Sequence, residues 1–414
     1  MINRFAGESR FAALCMSTAV CLAYSVMACG TVIVDASTNI PLPKASVFDK
    51  KGNLIGICSD VGELPYVARS SYPISIRYMG YATSTVDKPG QDKVFLKEMA
   101  YDLPEMTVNS RDHQVLHLTG YVREYSTLST YTDTVLLFRE KTVDFMIPAK
   151  NIKNYKGWSL PRVLASRSYY HLTNADGLDS VSNHFNQHFS WSDWVGVFNS
   201  RVIPADLRGD TAATHVDYGK YSPSVIWRRY DDNIVLDVDI LADRKNREFV
   251  PAFSGFVDNR VDCSRFTLKY IFSGVYGHEV FANSLTGMSF NIESNGRGRN
   301  LNRHLHTQDP VYINTYAELY ITDREYLTVH DAYKREKKPP HSEEIGINPP
   351  PEAPELQPAI LSLVERVDNF DYDTPRLDKQ PDRRLGTASK FATDKPDGLF
   401  KRLFKVFKHE RKRQ

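Results

Sequence analysis

Between Gly30 and Glu98, short apolar runs alternate with chain-turning residues, a pattern that suits strands and excludes long helices. Val32-Ile33-Val34 is followed by a loop in which Pro41 and Pro43 lack the N–H a sheet ladder needs. Ala45 to Asp49 and Leu54 to Cys58 are two further runs, separated by Lys51-Gly52-Asn53, whose glycine and asparagine tolerate positive φ. Ile74, Ile76 and Tyr78 share one face of a period-2 pattern, the mark of a half-buried strand. Gly80 interrupts it, Ala82 to Val86 resumes it, and Val94-Phe95-Leu96 closes the module. Strands and turns in this succession predict a β-sandwich over residues 29–98 that folds by itself.

The preceding residues read as a leader. Arg4 and Arg10 stand against one acid, Glu8, and Phe11 to Met27 is apolar apart from small hydroxyl residues and one tyrosine. A basic start, a short apolar stretch and a small residue before the mature chain predict a secretory signal peptide over residues 1–28. Val26-Met27-Ala28-Cys29 also resembles a bacterial lipobox, which implies lipidation of Cys29. The other reading is that Cys29 simply opens the first strand.

Three blocks carry a resemblance. They are Val34-Asp35-Ala36 with Thr38, Pro41-Leu42-Pro43 and Ala45-Ser46-Val47; then Lys51-Gly52-Asn53 with Gly56; then Ile74 and Ile76-Arg77-Tyr78-Met79-Gly80-Tyr81. Together they resemble the carboxypeptidase-regulatory-like domain of exported Bacteroidota proteins. That domain is similar to the transthyretin-like sandwich beside some metallocarboxypeptidase domains and at the start of many outer-membrane nutrient receptors. Further on, His117 to Val135 resembles a segment found downstream of this domain in a Bacteroidota family. The resemblance implies fold and export, not peptidase activity.

With 414 residues, the chain has room for about two or three domains. Its 23 tyrosines and 21 phenylalanines favour β-structure. A net charge of +2 gives no general electrostatic attraction to nucleic acid. Cys29, Cys58 and Cys263 remain after leader removal, which allows one bridge or buried free thiols rather than a disulfide framework.

Residues 99–112 read as a linker and 113–338 as a larger β-rich domain. Within it, Thr134 to Phe138 and Val143 to Ile147 are expected as two strands of a hairpin turning at Arg139-Glu140-Lys141. Ile234, Leu236, Val238 and Ile240 alternate with Asp237 and Asp239. Phe266, Leu268, Tyr270 and Phe272 repeat the alternation, as do Met288, Phe290 and Ile292, and Ala317, Leu319 and Ile321. One apolar and one polar face predict an antiparallel sheet with a wet side. Short helices are expected over Trp158 to Ser166 and Val329 to Lys337, the second capped by Thr328 with Asp331. Residues 339–398 hold Pro339, Pro340, Pro349, Pro350, Pro351, Pro354 and Pro358 and are expected to be a disordered linker.

Residues 399–414 form a basic amphipathic pattern. Leu399, Phe400, Leu403, Phe404 and Phe407 fall on one helical face, with Lys401, Lys405 and Lys408 on the other. Such a helix suits an anionic membrane surface or docking on the protein's own body. Candidates for chemistry are sparse. The one His-x-x-Glu, at His341 and Glu344, lies among prolines, where no rigid cavity can hold zinc. His184 with His188 and His304 with His306 have metal-pair spacing, but an aromatic cluster beside Trp191 and Trp194 and a polar loop explain them. Asp237 and Asp239 share a strand face, where solvation is the simpler account than acid–base catalysis. No Gly-x-Ser-x-Gly elbow or phosphate-binding glycine loop occurs.

The fold expected is mainly β: a transthyretin-like, carboxypeptidase-regulatory-like sandwich, a larger β-rich α+β domain and a disordered tail. The function expected is a non-enzymatic envelope protein, structural or binding, in the periplasm or at the outer membrane or cell surface. It would need no cofactor and would meet an envelope protein or glycan, an anionic membrane surface and no nucleic acid. The alternative is a hydrolase with its site in the β-rich domain.

Overall fold

The computed structural model describes residues 30–99, 114–149, 152, 154–175, 177, 179–183, 190–209, 213–245, 260–297, 310–337 and 345–369. All six short runs of the N-terminal module are strands: β1 (Val32–Asp35), β2 (Ser46–Phe48), β3 (Leu54–Ile57), β4 (Ile74–Arg77), β5 (Ser84–Val86) and β6 (Lys93–Leu96). β1 and β6 pair in parallel, and the other four form a sheet in the order β3-β2-β4-β5. Ile33, Val47, Ile74, Ile76, Val94 and Leu96 meet in one apolar cluster, as the period-2 pattern requires. Between β2 and β3, Gly52 sits at φ +84°, and the Asp49 carboxylate accepts the Lys51 and Asn53 N–H groups at 2.8 and 2.9 Å. That turn is the one its sequence predicts.

The long strands that follow build one antiparallel sheet. Its long strands are β7 (Val115–Ser129), β8 (Asp133–Pro148), β9 (Trp158–Asn174), β15 (Arg260–Phe272), β17 (Leu285–Arg297) and β18 (Val311–Leu327). Shorter members are β10 (Asp179–Ser182), β12 (Ala213–Tyr218), β13 (Pro223–Tyr230) and β14 (Asn233–Asp239). The ten strands run in the order β10-β9-β8-β7-β18-β17-β15-β14-β13-β12. A two-stranded ribbon of β11 (Ser200–Val202) and β16 (Glu279–Phe281) lies outside it.

One face of this sheet is apolar. Val122, Leu137, Phe145, Leu236, Phe266, Phe290 and Leu319 pack there, closed over by Trp191, Val195, Val197, Ile203 and Leu207 from the segment after β10. The opposite face is the one expected to be wet, and it is covered. Phe48 and Leu54 of the N-terminal module pack on Tyr125 and Tyr316, with the Phe48 and Tyr125 rings edge to face at 5.4 Å. Ser46 donates to Asn291 Oδ1 at 2.7 Å, and the Leu54 N–H donates to Thr127 Oγ1 at 2.9 Å. Alternation along a strand shows that two faces differ, but not what docks on the polar one.

Three expectations are corrected. β8 runs unbroken through Arg139-Glu140-Lys141, because β7 and β9 pair along its length and each charged side chain finds a partner. Trp158 to Ser166 is the first part of β9, not a helix. The segment expected to be disordered contains an ordered arm and a helix. Arg123 Nη1 donates to the Pro354 carbonyl at 2.5 Å and Thr142 Oγ1 to that of Gly346 at 2.9 Å. Two helices are described, α1 (Val329–Lys337) and α2 (Pro358–Asp368). α1 is where the sequence predicts it, with its Asp331 N–H donating to Thr328 Oγ1 at 3.1 Å. α2 starts at Pro358, a residue suited to the first helical turn. Its Ile360, Leu363 and Val367 share one helical face, buried against Leu136, Phe138 and Tyr169.

Candidate functional site

Long strands bring charged residues from distant parts of the chain into contact, and three clusters result. The first joins the N-terminal module to the large sheet. Arg77, at the end of β4, donates to Glu318 Oε2 at 2.5 Å, and both side chains are 1% exposed. Tyr316 and Tyr320 donate to the same carboxylate at 2.6 and 2.9 Å. The guanidinium lies 5.1 Å from the centre of the Tyr125 ring, so its remaining N–H groups face π-electrons. Burial alone would raise the Glu318 carboxyl, but Arg77 and the Tyr316 hydroxyl outweigh it and hold it below the ordinary carboxylate value.

The second cluster lies on the other face. Lys141 donates to Ser190 Oγ at 2.6 Å, Ser192 Oγ at 2.9 Å and Asp193 Oδ1 at 2.5 Å. Both serines donate to Glu124 Oε2, at 2.6 and 2.5 Å. A lysine between two serines invites comparison with Ser–Lys nucleophilic catalysis, which needs a neutral amine as base. Burial pushes the Lys141 ammonium below its ordinary value, but Asp193 and Glu124 oppose that fall. Two carboxylates, Glu124 and Asp193, face two cations, Lys141 and Arg139. That balance suits a charged lysine that ties the covering segment to β7 and β8.

In the third cluster, His117 Nε2 is 3.1 Å from Asp144 Oδ2 and Nδ1 is 2.8 Å from Glu325 Oε1. Arg162 donates to Asp144 at 2.8 and 2.5 Å. Arg335 of α1 pairs with Glu325, so this cluster fastens the helix to the sheet. Burial would raise Asp144, and hydrogen bonds from His117 and Arg162 hold it below its ordinary value.

Glu124, Asp144, Asp237 and Glu318 are all lowered in the folded protein. Such groups contribute stability that is complete above their unfolded values near 4 and is lost as pH falls through the lower folded ones. Stability should therefore fall steeply below about pH 4. Denaturant midpoints measured from pH 7 to pH 2.5 check this; a flat profile across pH 4 would contradict it.

Of the residues singled out by sequence, Asp237 and Asp239 are described. Asp237 is not simply solvated: its Oδ1 accepts from Lys269 Nζ at 2.7 Å, its Oδ2 pairs with Arg228, and the side chain is 19% exposed. Asp239 accepts from Ser222 Oγ at 3.2 Å and the Leu241 N–H at 2.9 Å. Trp191 is buried against Phe266, while Trp194 is 41% exposed. Cys58 and Cys263 are both buried and are not joined in a disulfide, and burial pushes the Cys58 thiol up to about 12. Cys29, His184, His188, His304, His306, His341, Glu344 and the stretch Leu399, Phe400, Lys401, Leu403, Phe404, Lys405, Phe407 and Lys408 lie outside the described residues.

Among the described residues no group of three His, Cys, Asp or Glu side chains is placed to hold a metal ion. No described helix is long and apolar enough to cross a membrane, which leaves strand-built spans unaddressed. Two cavities stand out, of about 20 and 10 Å³. Each is of the size of one or two waters. No protein-family profile matches the sequence, and no curated protein is detectably similar to it.

Proposed function

We propose that this chain is an exported, non-enzymatic protein of the cell envelope with a structural or binding role. On this reading residues 1–28 direct export, and residues 29–98 are a carboxypeptidase-regulatory-like sandwich carried on the large sheet. The location is the periplasm, the outer membrane or the cell surface, with Cys29 as the point of acylation if a lipid anchor is present. The observation that carries the reading is how the buried charges are used. Each cluster pairs acids and bases from separate segments, and so spends its polar groups on joining them. Arg77–Glu318 joins module to sheet, Lys141 joins the covering segment to β8, and Glu325–Arg335 joins α1 to β18.

Fractionation of the native host with in-cell crosslinking tests it. Recovery in the envelope fraction, crosslinked to a protein or glycan, supports the reading. A soluble cytoplasmic pool would overturn it. The hydrolase reading has one observation in its favour, the Ser190–Lys141–Ser192 contact. Turnover of simple esters or amides that is lost in Ser192→Ala would favour it.

The C-terminal residues extend the proposal to an anionic membrane surface. Lys401, Lys405 and Lys408 supply attraction of about 1 kcal/mol each near such a surface, and Phe400, Phe404 and Phe407 supply apolar area. The full chain should co-sediment with anionic vesicles, less so at high salt, and Phe404→Glu should weaken the association. Equal sedimentation of both forms would remove the membrane from the account.

A further inference from the structure

We propose that the contact between the N-terminal module and the large sheet contains a binding site for one small monovalent anion, of the halide class. The site is the cavity of about 20 Å³ lined by Lys44 and Tyr78 from the module and by Asp237, Thr267, Lys269, Ser289 and Asn291 from the sheet.

Three independent features define it. The first is charge. Lys269, which lines the cavity, and Arg228 share a single carboxylate, that of Asp237, so two cations there meet one acid. The aspartate is already committed, with Oδ1 on Lys269 Nζ at 2.7 Å and Oδ2 on Arg228, a second cation just behind the wall. Lys44 leans outward to Asp60, whose side chain is 80% exposed and weakly binding. Buried cations in excess of their carboxylates call for an anion.

The second feature is the supply of donors. Thr267 and Ser289 line the cavity and are 7% and 4% exposed as residues, and neither hydroxyl is among the fully buried polar atoms left without a partner. Each can donate to an anion there. Asn291 is engaged at its other edges, with Oδ1 accepting from Ser46 and Nδ2 donating to the Lys44 carbonyl. The Tyr78 hydroxyl accepts from Lys269 at 2.7 Å and keeps its own hydrogen free to donate inward.

The third feature is size. A cavity holding one water needs about 10–15 Å³ of such space, so this one takes a single compact ion and excludes an oxyanion with a bulky substituent. An ion there would touch strands β15 and β17 on one side and the module on the other. Its occupancy should therefore stabilise the contact between them.

Bromide is the probe that decides the matter. Crystals of the full chain grown in bromide should show an anomalous peak in this cavity, within hydrogen-bonding reach of Ser289 Oγ and Lys269 Nζ. In solution, the melting temperature should rise with chloride and saturate, when compared with gluconate at constant ionic strength. Ser289→Ala and Thr267→Val should keep the fold and reduce that chloride dependence. A cavity filled by water with no bromine signal would overturn the proposal. So would a melting temperature equally responsive to chloride in both variants.

Discussion

Replacing Glu318 with glutamine should cost about 3–5 kcal/mol of stability, the usual penalty for removing one partner of a buried ion pair. Arg77 and Glu318 are each 1% exposed, so neither can turn to water when its partner is lost. The substitution keeps the size of the side chain and removes only its charge. Arg77 would then be a buried cation with Tyr125 as its main remaining neighbour, and the Tyr316 and Tyr320 hydroxyls would lose a charged acceptor. The loss should appear as undocking of the N-terminal module, because the pair spans that contact. The double variant Arg77→Met with Glu318→Leu should recover much of the loss, since a buried ion pair costs desolvation energy that an apolar pair does not. Denaturant midpoints of the three variants check this. A single variant as stable as wild type would mean that the pair is solvated in solution.

The second large effect is expected at Lys141. Lys141→Met removes the ammonium that holds Ser190, Ser192 and Asp193, and leaves Glu124, wholly buried, with Arg139 and the two serines as its partners. The expected cost is again about 3–5 kcal/mol. The segment that closes the apolar face should loosen, so Trp191 should gain exposure and its fluorescence should shift to the red. If Lys141 were instead a catalytic base, Lys141→Met would abolish turnover of a substrate while leaving the fold nearly as stable. Unchanged stability together with lost turnover would contradict the structural role.

Much of the N-terminal module was legible because a strand writes its period directly into sequence. Ile74, Ile76 and the turn at Gly52 are local features, and each landed where the alternation placed it. Non-local pairing was not legible. Arg139-Glu140-Lys141 reads as a turn because three charges in a row do not look like strand. They are tolerated inside β8 because Ser168, Arg167 and Ser190 meet them from elsewhere. The Lys141 cluster had no motif to find, as its members are 49 and 66 residues apart along the Ser190–Lys141 and Ser190–Glu124 contacts. α2 did leave a signal: Ile360, Leu363 and Val367 have helical spacing, but the surrounding prolines argued for disorder. The covered polar face was beyond reach, since alternation in Asp237 and Lys269 is the same whether water or another layer lies over it.

The module and the large sheet should behave as one cooperative body, with Phe48, Leu54, Arg77 and α2 closing a shared contact. That differs from the expectation that residues 30–98 fold alone, and differential scanning calorimetry of the mature chain distinguishes the two. The expected result is a single transition whose calorimetric and van't Hoff enthalpies agree, and which Glu318→Gln lowers as a whole. Two resolved transitions, with the one belonging to the large sheet unmoved by Glu318→Gln, would contradict it.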